Sequence, residues 1–449
     1  MKKTVIASAI VALLLALMAM PSAAQLGDIG DSSFTVQNVG SGKATVSITF
    51  VKEDGTEITP TPLNGNQPNP FELASGASFE VHVPSIPNLP AGRYSAIIRS
   101  TEEIVAIANL IGQNAAGKIF YNGSYSGAAQ GASPVYLPSF VYKFYGWNSL
   151  ISVQNTGSGP ANVTVSYTCQ DGTKAQSSKS NLAKGAAVHF DLETSAPSGL
   201  PGGGCSGSAV ITSNEPVVVV DNQSAGGGQT QSFNTFDQGA AKVYIPANYN
   251  DYYTWNSSLN VVKIGSGTSN VTVKYSDGGQ STCSLTDAKP SCLLYMPTEH
   301  PAKGKFAATI EATGKPVVAI SNAANPANQA QTYGGFTAGA DTVGLPTTMK
   351  QYYGWDTSFT CQNIGTTATA LNISYQGYAS KAYNTPTLAS GASVEVYQPG
   401  ESFLPNGYRG SVTVKANASG GEIACIVNQT QPANQAAGMG DWSMSYNAQ

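Results

Sequence analysis

The stretch YYGWDTSFTCQNIG at 352–365 decides the fold, because the chain repeats it. YGWNSLISVQNTG stands at 145–157 and YTWNSSLNVVKIG at 253–265. A fourth copy, SSFTVQNVG, ends at Gly40 and lacks the aromatic start. Ahead of three copies stand VYLP (135–138), VYIP (243–246) and VGLP (343–346). From each of these prolines to the next tryptophan the step is the same: Pro138 to Trp147, Pro246 to Trp255, Pro346 to Trp355. Gly40, Gly157, Gly265 and Gly365 stand 117, 108 and 100 residues apart, so each unit is domain-sized.

Downstream columns agree. ATVSITF (44–50), NVTVSY (162–167), NVTVKY (270–275) and LNISY (371–375) alternate with period two, as half-buried strands do. Asp54-Gly55, Asp171-Gly172 and Asp277-Gly278 follow as hairpin turns. LASGASFEV (73–81), LAKGAAVHF (182–190) and LASGASVEV (388–396) read as a turn and then a strand; repeat three replaces this column with LTDAKPSC (285–292). Six or seven strands per unit predict an all-β chain, a tandem array of four immunoglobulin-like β-sandwich repeats strung as beads. The expected bounds are a signal segment at 1–24 and repeats at 25–133, 134–241, 242–341 and 342–449.

Composition supports this reading. Of 449 residues only 11% are charged, 41% are hydrophobic, and the net charge is −4. Such a chain is not disordered, and its charge gives no reason to expect nucleic acid as a partner. Lys2 and Lys3, the apolar run from Val5 to Met20, and Ser22-Ala23-Ala24 predict an export signal cleaved before Gln25. No later apolar run approaches the ~18 residues of a membrane span. The expected location is therefore extracellular or on the cell surface. The six cysteines fall two to a repeat, which predicts the bridges Cys169–Cys205, Cys283–Cys292 and Cys361–Cys425 in an oxidising compartment.

The Y-Y-G-W-[ND]-[ST] phrase followed by Q-N-x-G is similar to repeats in uncharacterised surface proteins of filamentous bacteria, within the broader bacterial immunoglobulin-like repeats. That resemblance implies architecture and no particular activity.

No catalytic constellation emerges, and neither cofactor nor metal is expected. His82, His189 and His300 stand without a nucleophile motif, and His189 shares the column of Glu80 and Glu395, an expected solvent-facing position. Tyr145, Trp147, Tyr253, Trp255, Tyr353 and Trp355 have two readings. Their fixed register with the linker proline favours sealing of repeat junctions; the alternative is a set of platforms for surface glycans. Sequons at Asn122, Asn162, Asn222, Asn256, Asn270, Asn372, Asn417 and Asn428 are candidate glycosylation sites. With three leaders for four repeats, one terminal sheet lacks a strand. The tail at 441–449 alternates Trp442, Met444 and Tyr446 with serines, and so is a candidate donor strand for a second copy. The function expected from these features is a secreted, non-enzymatic subunit of a surface filament or matrix, assembled head to tail; the alternative is a glycan-binding adhesin.

Overall fold

The computed structural model describes residues 10–13, 29–113, 119–225, 228–436 and 441–448. Apart from Ile10–Leu13, the expected signal segment lies outside the described residues. Repeat two sets the pattern with eight strands: β1 Val135–Tyr142, β2 Trp147–Asn155, β3 Ala161–Cys169, β4 Lys174–Leu182, β5 Ala187–Asp191, β6 Cys205–Ser213, β7 Val217–Ala225 and β8 Thr230–Asn234. They form two antiparallel sheets, ordered β1-β6-β3-β4 and β5-β2-β7-β8. The other three repeats follow the same order, and repeat one adds a short strand, Phe71–Leu73, beside its β3. β3 shows why: its residues alternate buried and open from Ala161 to Cys169, so Val163, Val165 and Tyr167 enter the sandwich.

The leader is β1, and it pairs with β6 of the repeat that follows the linker. Repeat one is therefore the copy without its own leader. There, Ile10–Leu13 pairs with Ser95–Ser100, the β6 of that repeat. All three expected disulfides are present: Cys169–Cys205, Cys283–Cys292 and Cys361–Cys425.

The beads-on-a-string expectation is overturned, because the four sandwiches close into a ring. One column of β7 shows this most directly. Val220 sits in the core of repeat one, Ile320 in that of repeat two, Ile426 in that of repeat three, and Ile107 in that of repeat four. Each repeat inserts the same side chain into its predecessor, and repeat one inserts into repeat four. The closing junction also carries direct hydrogen bonds. Thr347 Oγ1 donates to Thr35 Oγ1 at 2.7 Å, and Ser78 Oγ donates to Gln376 Oε1 at 2.9 Å. Around the ring, the leader side of the β1-β6-β3-β4 sheet packs on the β5-β2-β7-β8 sheet of the next repeat, while β3 and β4 keep an open outer face.

The tail is corrected with the ring. Ser443–Asn447 is β8 of repeat four and pairs antiparallel with β7 (Ile423–Thr430) of the same repeat. Trp442, Met444 and Tyr446 are buried within their own chain. Ser443 and Ser445 are buried too, because the opposite face of this strand meets the ring axis. The tail is thus already used as a structural strand.

Candidate functional site

The repeated aromatic phrase forms a hairpin tip. In repeat two, Phe144 N–H donates to Trp147 O at 3.2 Å and Trp147 N–H donates back to Phe144 O at 3.0 Å. Between them stand Tyr145 at φ +50° and Gly146 at φ +81°, the two left-handed positions of a type I′ turn. Tyr253-Thr254 and Tyr353-Gly354 take the same turn, the tyrosines both at φ +47°. A non-glycine residue there costs roughly 1–2 kcal/mol.

The rest of the phrase holds the tip in place. The residue before the aromatic pair is also left-handed: Lys143, Asp251 and Gln351. Its N–H is accepted by the side chain after tryptophan, namely Asn148 (2.8 Å), Asn256 (2.9 Å) or Asp356 (2.9 Å). The next hydroxyl, of Ser149, Ser257 or Thr357, accepts the buried N–H of Val141, Tyr249 or Met349. The [ND]-[ST] after each tryptophan is therefore a pair of backbone clasps.

Q-N-x-G is a staple. Asn155 Nδ2 donates to Gly159 O and Leu182 O while its Oδ1 accepts from Gly157 N–H; Asn38 and Asn363 do the same in their repeats. In repeat three, Lys263 replaces the asparagine and LTDAKPSC replaces the loop it clasps. The two departures are one exchange, since Lys263 Nζ reaches Asp287 Oδ1 at 2.6 Å and Gly265 O at 2.8 Å.

The six predicted junction aromatics divide. Trp147, Trp255 and Trp355 are half-buried; Trp147 lines the space between repeats two and three, whereas Trp255 packs on the core of its own repeat and Trp355 on Trp442 of its own repeat, with ring centroids 5.6 Å apart. Tyr145, Tyr253 and Tyr353 are 88%, 81% and 83% exposed and seal nothing. The hairpin turns them outward.

The axis itself is polar. The β8 strands Ile119–Ser126, Thr230–Asn234, Gln329–Gly334 and Ser443–Asn447 gather around it. Ser124, Ser232, Thr332 and Ser445 each donate to an asparagine of the adjacent β7: Asn109, Asn222, Asn322 and Asn428. The Asn447 amide binds both N–H and O of Gly334, and Asn234 clasps Ser126 in the same way. Asp441 touches every other repeat. Its Oδ2 accepts N–H from Thr230 at 3.1 Å and from Ala330 at 2.9 Å, and its carbonyl accepts from Asn122 Nδ2 at 2.7 Å. Burial pushes its carboxyl well above the ordinary range. Ser126, Asn234, Gly334 and Asn447 line a cavity of about 410 Å³ at one end of the axis.

This packing corrects three sequons. Asn122, Asn222 and Asn428 are buried at or near the axis, where a glycan has no room. Asn162, Asn270 and Asn417 are exposed, and Asn256 and Asn372 are half-buried.

His189 is corrected as well. The neighbouring sandwich covers its side chain, leaving 7% exposed, and its Nδ1 pairs with Ser152 Oγ at 2.8 Å. Burial, helped by the nearby Arg93, pushes its pKa down to about 3. His300 is buried too, with Nε2 at 2.7 Å from Asp277 Oδ2 and its ring against Tyr275 and Phe306. His82 pairs with Ser85 and Asp31. Among the described residues no three His, Cys, Asp or Glu side chains gather as metal ligands, and no helix is long and apolar enough to cross a membrane.

No family model and no curated protein matches the chain. Among solved structures, the crystal structure of Thermotoga maritima 1070 aligns over 22% of this chain and 95% of its own, at 18% identity and a TM-score of 0.19. A tetra-tandem repeat from the extending region of a large adhesion protein aligns over 98% of both chains at 12% identity and a TM-score of 0.10. The serine-rich repeat protein Srr2 from Streptococcus agalactiae aligns over 78% of this chain and 85% of its own, at 8% identity and a TM-score of 0.11. Scores this low transfer no role.

Proposed function

We propose that the chain is an extracellular, non-enzymatic adhesive scaffold: a closed ring that presents three exposed tyrosine tips. The observation that carries this is the set of tips. Three rings stand more than 80% exposed in a left-handed conformation that tyrosine adopts at a cost, each clasped by a dedicated side chain. Strain kept in the same place in three repeats is the signature of a site. Rigid, exposed tyrosines lose little entropy on contact and combine a stacking face with a hydroxyl. Three disulfides suit an oxidising compartment.

The test replaces the tips by asparagine, which tolerates the left-handed turn. The triple variant Tyr145→Asn, Tyr253→Asn, Tyr353→Asn keeps the thermal midpoint within a few degrees. It loses at least tenfold in binding of the labelled protein to cell-envelope preparations of the producing culture. Unchanged binding with an unchanged midpoint sinks the reading.

A second reading, assembly into a filament or matrix, draws on one observation: Ile10–Leu13 occupies the slot that other repeats fill with their own leader. Removal of residues 1–24 on export frees the edge of Ser95–Ser100 for a strand from another molecule. The tail is not that strand, since it is committed to repeat four. Size analysis and electron microscopy of residues 25–449 test this. Fibres that a peptide of sequence 135–142 caps support it; a monomer at every concentration refutes it.

A further inference from the structure

At the junctions that follow repeats two, three and four, one position of β6 faces one position of the next repeat's β5. Between repeats three and four these are Lys305 and Glu395, whose Nζ and Oε1 lie 3.1 Å apart. Tyr252 Oη donates to the same carboxylate at 3.4 Å. Between repeats four and one they are Arg409 and Glu80, 2.7 Å apart, with the guanidinium over the Tyr352 ring. In both cases a charged pair occupies the floor beneath an aromatic tip.

Between repeats two and three the corresponding residues are Ser206 and Leu293. The pair is missing, and the space it would occupy is a cleft of about 270 Å³. Phe144, Tyr145 and Trp147 form one wall. Side chains of the next repeat, among them Asn260, Tyr295 and Asn322, form the other. Among the described residues that line it, none carries a charge.

We infer that this cleft is a binding site for a neutral saccharide. The inference rests on the adhesive reading above and names its ligand class. An aromatic wall stacks on the apolar face of a pyranose ring, whose C–H bonds point at the π-electrons. Amides and hydroxyls opposite both donate and accept, as sugar hydroxyls require. The missing ion pair matters twice: it leaves room, and it leaves no carboxylate or ammonium to favour a charged ligand. An anionic sugar or a phosphate would find no counter-charge here, and an apolar ligand would leave the amides unpaired. The junctions three–four and four–one are closed by their ion pairs, and repeat one has no aromatic tip to wall a cleft at the junction one–two, so the ring takes up one such ligand per chain.

The experiment titrates the full chain with neutral tetramers of glucose, galactose, mannose and N-acetylglucosamine, by calorimetry and saturation-transfer NMR. At least one tetramer binds with one site per chain. The double variant Ser206→Lys, Leu293→Glu rebuilds the sister pair inside the cleft. It lowers affinity at least tenfold while the thermal midpoint holds or rises. Trp147→Ala lowers affinity similarly, and Trp355→Ala at the closed junction does not. No binding of any tetramer, or binding that the rebuilt pair leaves intact, overturns the inference. The double variant Tyr253→Asn, Tyr353→Asn separates the two readings, because those tips lie outside the cleft. Envelope binding lost there but kept with the rebuilt pair leaves the adhesive scaffold standing and removes only the saccharide site.

Discussion

Deleting residues 441–449 unfolds repeat four and opens the ring. The deletion removes the β8 strand of that repeat, with Trp442, Met444 and Tyr446 all nearly inaccessible to water. At about 1.5–3 kcal/mol for each large buried side chain, roughly 5–9 kcal/mol of apolar burial is lost. That is as large as the whole stability of many domains. The polar losses point the same way. Tyr446 Oη no longer donates to Thr347 O, so a carbonyl of the leader strand is left buried and unpaired. Asp441 no longer ties repeats one, two and three at the axis. The expected result is a large drop in the unfolding midpoint, an expanded hydrodynamic radius, and exposure of the Ile423–Thr430 edge. A synthetic peptide of sequence 441–449, added in excess, restores part of the loss by refilling that edge. If the truncated chain keeps its midpoint and stays compact, the tail is a free arm and the ring does not depend on it. Size-exclusion chromatography and a thermal scan of both proteins decide.

The repeat and its small devices were legible because they are local. Asn148, Asn256 and Asp356 clasp a backbone N–H five residues away, so the clasp leaves a fixed spacing. The aromatic phrase stood out for the same reason, by its fixed step from the linker proline, but its hairpin turn was not read from it. The exchange of Asn for Lys263 was readable in principle, because it coincides with the one repeat whose clasped loop has changed. Ring closure was not readable, since it joins residues about three hundred positions apart through a face that looks wet. Thr35, Gln37, Gln154, Thr360 and Gln362 alternate with apolar residues as solvent-facing positions do, yet all are at most 1% exposed. They meet another sandwich. The same misreading placed His189 in solvent and the sequon at Asn222 on the surface. One signal was available: polar strand faces with so few charges, 11% of the chain, suit burial between sheets better than open water. The cleft between repeats two and three escaped because it is defined by what Ser206 and Leu293 lack, and a missing pair shows only beside its sisters.

Asp221 gives the protein a stability that falls as pH rises. It stands in β7 of repeat two where the sister repeats carry Ala108, Ser321 and Val427. Its side chain is fully buried, and Oδ2 accepts from Ser149 Oγ at 3.0 Å and from Gln223 Nε2 at 2.7 Å. Desolvation outweighs these two bonds and pushes its pKa up to about 7, from 3.8 in the open chain. The folded state therefore holds its proton over a range where the unfolded state has released it. Its contribution is fully present below pH 3.8 and is lost as pH climbs to about 7, a swing of about 4 kcal/mol. Asp441 acts in the same direction. His189 acts against both: its folded pKa lies below the open-chain 6.5, so its contribution is present above pH 6.5 and lost as pH falls towards 3. The net curve of the native protein mixes these opposed terms, so the informative quantity is a difference between proteins. Asp221→Asn keeps the shape and removes the charge, so its stability relative to the native chain rises by about 3 kcal/mol between pH 4 and pH 7. His189→Gln shows the opposite trend over the same interval. Denaturant titrations at four or five pH values measure both. Parallel curves for Asp221→Asn and the native chain would mean that water or a rearranged Gln223 satisfies the carboxylate, and that the core of repeat two is wetter than its packing indicates.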